Sequence, residues 1–412
     1  MYKTISKCRI CGNKQLESIL TLGEQALTGV FPRSLAEEVT KGPVELVKCV
    51  GVDTCGLVQL KQSYDHAEMY GMNYGYRSGL NASMVNHLHS KVRKIVSAKL
   101  LEPGDIVIDV GSNDATTLRA YPQDTYELVG IDPTGVKFAE YYPKAIRLIP
   151  DFFSAATVNS ALAGRKAKVI TSFSMFYDLE DPVSFAKEVT AALADEGVWI
   201  FEQSYLPAML RTSSFDTICH EHLEFYALKQ IMWIAKSAGL KILDVEFNDV
   251  NGGSFSITAS KTSSSRLPKG SWIDSILADE KSLGLDGLEV YAAFRNNMQL
   301  VREKLVAFLQ DAKTDGKVVL GLGASTKGNV LLQYCGITAA LLPLIGEANQ
   351  DKFGAYTPGT RIPLVAEDEV LALKPDYLLV LPWHFRSFFL ASPKMRGKKL
   401  VFPLPTFEIV QC

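Results

Sequence analysis

Charge of a single sign is scarce in this sequence. Its 412 residues hold 43 lysines and arginines against 45 aspartates and glutamates, a net charge of −2. No basic block stands out, so the electrostatic footprint of a nucleic-acid binder is missing. Also absent is any apolar run of membrane-spanning length, and the opening Met-Tyr-Lys-Thr-Ile-Ser-Lys has no signal-peptide core. The expectation is a cytoplasmic chain, a monomer, with no membrane or nucleic-acid partner. Histidine is rare, with six in the chain, and cysteine nearly so, with seven. Four of the cysteines, Cys8, Cys11, Cys49 and Cys55, crowd the amino-terminal end. In a reducing compartment such a cluster reads as metal ligands rather than disulfides. What remains is ordinary for a globular protein, with 47% hydrophobic and 21% charged residues. The length asks for two or three domains.

The chain is organised around Ile106-Val-Ile-Asp-Val-Gly-Ser-Asn-Asp114. Apolar β-formers alternate into Asp109 and stop at Gly111, which predicts a buried parallel strand feeding a tight glycine turn. Thr116 to Ala120 is expected to open a helix whose amides face that turn. Asp132 closes a second apolar run, Leu128-Val-Gly-Ile131, and its carboxylate suits ribose hydroxyls. A dinucleotide fingerprint needs three glycines to hold a pyrophosphate. Only Gly111 is present, with Ser112, Asn113 and Asp114 in the remaining places, so S-adenosylmethionine (SAM) fits better than NAD. An ordinary strand-to-helix turn without a ligand is the alternative. Lys168–Phe173 and Gly197–Glu202 continue the strands. Ligands in open α/β sheets lie at the carboxyl ends of strands. Asp109, Gly111, Asn113, Asp132, Ser172 and Phe173 are therefore candidate cofactor residues, with Glu202 and Gln203 at the same crevice and Tyr177 toward the substrate. Asp151 either accepts from the adenine amino group, with Phe152 over the ring, or is a plain loop acid.

Cys8-Arg-Ile-Cys11-Gly is a C-x2-C-G knuckle, and Cys49 and Cys55, followed by Gly56, form an irregular second one. Four thiolates would give a closed tetrahedral zinc site of structural type, the alternative being reduced buried cysteines without an ion. The wide second spacing requires Gly51 to Thr54 to bulge out. Tyr70 to Gly79 is dense in tyrosine and glycine and reads as a lid or as a linker. Asn86 to Leu101 has helical spacing, with His87 and His89 facing different sides.

The segment Ser214 to Tyr226 carries His220-Glu-His222. In extended backbone the two histidines share a side and Glu221 takes the other. A general base oriented by a carboxylate, a metal site, or a hydrogen-bonded structural cluster are all open to it. Leu240–Phe247 and Gly253–Ser260 read as a β-hairpin through the Asn251-Gly turn. Lys261 to Lys269 marks a domain boundary, and Leu288 to Asp311 a long helix. Further α/β units are expected at Ala340–Ile345, Ile362–Val365 and Tyr377–Leu381. Gly321-Leu-Gly-Ala-Ser-Thr-Lys-Gly-Asn329 repeats the strand and glycine turn. Its Ser325, Lys327 and Asn329 suit the diphosphate of a substrate, unless this unit only supports the fold. His384 lines the cleft or packs.

Taken in order, Cys8-x2-Cys-Gly, Cys55-Gly-Leu-Val-Gln-Leu60, Asp109-Val-Gly-Ser-Asn-Asp114, His220-Glu-His222, Asn251-Gly-Gly-Ser254 and Gly323-Ala-Ser-Thr-Lys-Gly-Asn329 resemble the C-methyltransferase family acting on nucleotide-linked 4-keto-deoxysugars. The resemblance implies an α/β fold in three parts. These are a zinc-binding module over 1–68, a class I SAM methyltransferase domain over 69–262 and a second Rossmann-like domain over 263–412 that helps to hold a nucleotide-diphosphate sugar. It also implies that His222 takes the proton beside the ketone, assisted by Glu221, His220 and Tyr76, with methylation at C3. Asn251 is carried over with the substrate residues. Cys219 and Ala115 stand where family members often carry tyrosine and glycine. An O- or N-methyltransferase on the same scaffold, or a non-catalytic zinc and nucleotide-sugar binding protein, are the rival expectations.

Overall fold

A computed structural model describes residues 2–69, 76–270 and 272–412. Most of the Tyr70–Gly79 stretch expected as a lid or linker thus lies outside the described residues. In the amino-terminal part, β1 (Lys3–Thr4) pairs with β5 (Gln62–Ser63), while β2 (Leu16–Ala26), β3 (Lys41–Cys49) and β4 (Val58–Leu60) form an antiparallel sheet. The fourth strand of that sheet comes from far downstream: β11 (Glu224–Phe225) pairs antiparallel with β4.

The central sheet contains β6 (Ile106–Val110), β7 (Glu127–Ile131), β8 (Ile146–Ile149), β9 (Ala167–Phe173), β10 (Leu193–Ser204), β12 (Leu240–Asn248) and β13 (Ser254–Lys261). Its order is β12-β13-β10-β9-β6-β7-β8, parallel except that β13 runs antiparallel to both neighbours. Every residue of β6 is buried, as a strand covered on both faces requires. The sequence order reverses between β6 and β9, and such a switch point opens a crevice at the strand ends. The expected α/β class and the hairpin of β12 and β13 are both present. One expectation fails: no α-helix follows the first glycine turn. The chain makes a 3-10 turn, Leu118–Ala120, and stops at Pro122, which cannot supply the next amide.

The carboxyl-terminal sheet joins β14 (Val319–Leu322), β15 (Ile345–Glu347), β16 (Leu364–Ala366), β17 (Tyr377–Val380), β18 (Lys399–Phe402) and β19 (Glu408–Gln411), in the order β16-β15-β14-β17-β18-β19. Only β19 is antiparallel. The strand expected from Ala340 starts later, at Ile345, since Pro343 has no amide for a ladder. The expected long helix is Glu289–Thr314. The helix after β14, Thr326–Cys335, is tied to the amino-terminal sheet through Asn329 Nδ2 to the Thr28 carbonyl (2.8 Å) and Gln333 Oε1 to the Ala26 amide (2.7 Å). The residue before helix Leu228–Ser237, Ala227, has no side chain that can cap its first amides. Glu280, from the helix Trp272–Ser282, caps it instead by accepting from the Leu228 amide (2.6 Å) and the Tyr205 hydroxyl (2.9 Å).

Candidate active site and zinc centre

The crevice over β6, β7 and β9 is a cleft with a cavity of about 220 Å³. Asp109, Gly111, Asn113, Asp132, Phe152 and Phe173 line it, together with Tyr76 and the apolar side chains of Met84, Leu88 and Phe153. Gly111 has a φ of +72°, and a Cβ there would stand 3.1 Å from Met175 Cγ, so the turn needs glycine on both counts. Asp132 accepts from the Asn113 amide (2.7 Å) and from the Thr134 amide and hydroxyl (2.7 and 2.6 Å), which fixes its carboxylate at the rim. Asp109 accepts from Thr171 Oγ1 at 2.5 Å, and burial pushes its pKa up to about 7. Asn113 turns its side chain on the protein: Oδ1 accepts from the Ser78 amide and Nδ2 donates to the Tyr76 carbonyl. With Asp114 accepting from the Gly79 amide (3.0 Å), it pins the end of the tyrosine segment over the cleft.

Two expected cofactor residues lie elsewhere. Ser172 is fully buried and accepts from Trp199 Nε1 at 3.0 Å, because alternation along β9 turns it into the core. Asp151 is exposed, takes the Phe152 amide on its own carboxylate, and does not line the cleft. Glu202, expected at the crevice, is held instead by His87, Lys91 (2.8 Å) and Asn248 (2.8 Å). His87 is thus part of a largely buried cluster with Lys91 and Glu202.

Beyond β9 the loop is anchored by Phe176, which is fully buried, stacks on Tyr226 and meets Trp199 and Phe201 edge-on. Burying such a side chain contributes about 1.5–3 kcal/mol. Its neighbour Tyr177 meets the His222 ring edge-on, with 4.4 Å between centroids. Nδ1 of His222 lies 2.7 Å from the Thr217 carbonyl. A carbonyl only accepts, so Nδ1 carries the proton and Nε2 keeps the lone pair. Burial and the charge of Lys327 lower the His222 pKa to about 4, leaving the ring neutral. Glu221 is pushed up to about 7 by burial. A Cβ on Gly29 would stand 2.5 Å from Glu221 Oε1, so that glycine makes room for the carboxylate.

His220 departs from expectation. The His222 amide bonds the Cys219 carbonyl at 3.2 Å, so the segment is a β-turn rather than an extended strand. The turn sends His220 into the amino-terminal sheet, 1% exposed and edge-on to Tyr64 at 4.6 Å. It leaves Glu221 beside His222.

The second glycine loop also differs. Ser325 Oγ caps its helix by accepting from the Gly328 amide (3.0 Å), and Asn329 is the strut to Thr28, fully buried. Both are spent on structure, so the loop is no ready phosphate cradle. Lys327 donates to the Asn251 carbonyl at 2.7 Å, with Asn251 in the left-handed region at φ +57°. Burial lowers the Lys327 pKa, and Asp216 and Cys219 oppose that shift. Asp216 accepts from Trp383 Nε1 at 2.7 Å. His384 packs beside Trp383, its pKa well below the usual value through burial and Lys327. Neither Thr217, which acts through its backbone, nor Gly29 has a signal in the sequence.

The four amino-terminal cysteine sulfurs lie within 4.8 Å of one another, with Cys8–Cys55 at 3.4 Å and Cys11–Cys49 at 3.5 Å. Sulfurs bound tetrahedrally at about 2.3 Å to one zinc stand roughly 3.8 Å apart, so this donor set fits a structural Zn2+. The intervening residues bulge outward, with Val52 91% exposed. Two buried cations attend the site. Lys48 donates to the Gly56 carbonyl at 3.3 Å. Arg9 reaches the Leu60 carbonyl (2.6 Å), Ser63 Oγ (2.7 Å) and the Glu224 carboxylate (3.7 Å).

Three family models match the chain: a zinc binding domain at residues 8–70, a methyltransferase domain at 84–245 and a C-methyltransferase C-terminal domain at 249–405. The C-methyltransferase NovU of Streptomyces niveus is 28% identical over 99% of this chain and 97% of its own length. A SAM-dependent methyltransferase from Clostridium acetobutylicum ATCC 824 matches 42% of this chain and 91% of its own at 14% identity, with a TM-score of 0.33. Magnesium protoporphyrin IX methyltransferase from Synechocystis PCC 6803 matches 44% of this chain and 88% of its own, also at 14% identity, with a TM-score of 0.34. With the three family models following one another along the chain and a curated C-methyltransferase similar over nearly all of it, the chain is a SAM-dependent C-methyltransferase with an amino-terminal zinc-binding domain.

Proposed function

We propose that this C-methyltransferase acts on a nucleotide-linked 4-keto-deoxysugar, at the carbon beside the ketone and most simply at C3, with His222 as the general base. One observation carries the reading: the Thr217 carbonyl holds Nδ1, so Nε2 keeps its lone pair in a small pocket shared with Tyr177, whose chain neighbour Asp178 lines the cleft. The C–H proton goes to Nε2, and its electron pair is held as an enolate until it forms the new carbon–carbon bond. Lys327 places positive charge near the base, and a cation in a water-poor site stabilises a developing oxyanion strongly. Tyr76 at the cleft and Tyr177 against His222 position the sugar. Bound SAM supplies the methyl group as an electrophile. Asp132 at the rim and Phe152 and Phe173 on the walls hold its adenosyl part. Lys327 and Asn251 serve the sugar end in this reading, while Ser325 and Asn329 do not contact it.

The test is deuterium exchange at the substrate carbon in D2O, without SAM. Washout catalysed by the wild type and reduced by about 10²–10⁴-fold in His222→Asn supports the proposal. No exchange in D2O, together with methyl transfer from SAM that leaves the hydrogen on that carbon, overturns it in favour of O- or N-methylation. Calorimetric titration with S-adenosylhomocysteine and then dTDP, GDP and CDP identifies the nucleotide carrier.

A further inference from the structure

The turn that carries His222 brings together a second set of metal-competent donors. Cys219 Sγ, a carboxylate oxygen of Glu221 and a ring nitrogen of His222 all lie within 4.8 Å of one another. None of them is shared with the four-cysteine centre. The turn is closed by the His222 amide on the Cys219 carbonyl, which fixes the three side chains relative to one another without any ion. Cys219 is fully buried, and the Glu221 carboxylate accepts no hydrogen bond among the described residues. A buried thiol and an unpartnered carboxylate facing an imidazole form an incomplete coordination shell. Lys327 is the cation of this neighbourhood, but its bonded partner is the Asn251 carbonyl, and Asp216 and Asp178 add acid to the surroundings.

The donor chemistry narrows the occupant. Thiolate, carboxylate and imidazole together suit a borderline-soft divalent cation, whereas Mg2+ and Ca2+ prefer shells made of oxygen. Three protein ligands also leave a coordination position open, unlike the closed tetrathiolate centre. We propose that Cys219, Glu221 and His222 form a second site, for a divalent cation of the Zn2+ class, whose occupation stops catalysis by engaging the base. The binding half stands on the donor geometry alone, and the inhibitory half rests on the reading of His222 as base. The same metal then supports the fold in the amino-terminal module and blocks the reaction in the central domain.

The experiment starts from full-length protein carrying zinc in its four-cysteine centre. Co2+ is added while thiolate-to-cobalt charge-transfer absorption and bound metal are measured. The expected result is a further bound equivalent with a thiolate band in the wild type. In Cys219→Ser, a near-isosteric change, that equivalent weakens by about tenfold or more while the first zinc is retained. Glu221→Gln, as a second variant, weakens it too without removing the thiolate band. Methyl transfer by the wild type falls as free Zn2+ fills the second site, and Cys219→Ser resists the same concentration relative to its own zinc-limited rate. Absence of the further equivalent, or its persistence unchanged in both variants, overturns the site and leaves His222 as base untouched. Binding without loss of activity overturns the inhibitory half and counts against His222 as base.

Discussion

The proton on Nδ1 of His222 belongs to the bond with Thr217, and from that follows what the residues around it do. His222 is neutral because burial and Lys327 disfavour its charge. Glu221, on the same turn, keeps its proton up to about pH 7 through burial. Its folded pKa is raised, so its contribution to stability is present below its unfolded value and is lost as pH rises through about 7. Glu221→Gln should therefore raise the melting temperature more at pH 8 than at pH 5, and should remove an inflection near pH 7 from the profile of kcat/KM. Thermal melts and initial rates at the two pH values check this, and an equal shift at both would refute it. The triplet drew attention in the sequence because histidine is rare and the three residues are compact. The side each residue faces was not legible, since a β-turn and an extended strand place His220 differently and only the fold selects between them. Thr217 was invisible because a backbone carbonyl leaves no mark in composition.

Among the elements, β6 and its glycine turn were readable because a doubly covered parallel strand must be a continuous apolar run. The second glycine loop looked like a phosphate site for similar reasons, yet Ser325 and Asn329 do structural work. A serine at a helix N-cap and an asparagine bridging two sheets look the same in sequence as ligand-binding residues. Asn329→Ala should accordingly act on stability. It leaves the Thr28 carbonyl without its buried donor, at a cost of about 1–3 kcal/mol. The denaturant midpoint should fall while the KM for the sugar nucleotide stays within twofold or so. A large rise in KM with an unchanged midpoint would restore the phosphate reading.

Across the whole molecule, the zinc centre and the His222 turn are linked through short pieces of backbone. β4 pairs with β11, the Leu60 amide bonds the Leu223 carbonyl at 2.8 Å, and Arg9 meets Glu224 at 3.7 Å. His220 and Gly29 seal the same contact. The cleft, by contrast, is lined from Tyr76 to Phe185 and takes nothing from the zinc module. Chelating the zinc should therefore abolish methyl transfer while calorimetry still detects S-adenosylhomocysteine. Parallel loss of both would show that the central sheet depends on the metal too. The three-part α/β plan was visible in the order of the motifs. The return of Glu224–Phe225 to the first sheet was not, since a two-residue strand carries no periodicity.

That returning strand has a consequence for how the chain is made. On a ribosome, residues up to Leu60 emerge long before Glu224, and at roughly 5–20 residues per second the interval is about ten to thirty seconds. Throughout it the outer edge of β4 has no β11 to pair with, and an unpaired edge is where other chains attach. The sheet that holds the zinc knuckles is thus completed late in synthesis, by the segment that also carries His222, the proposed base.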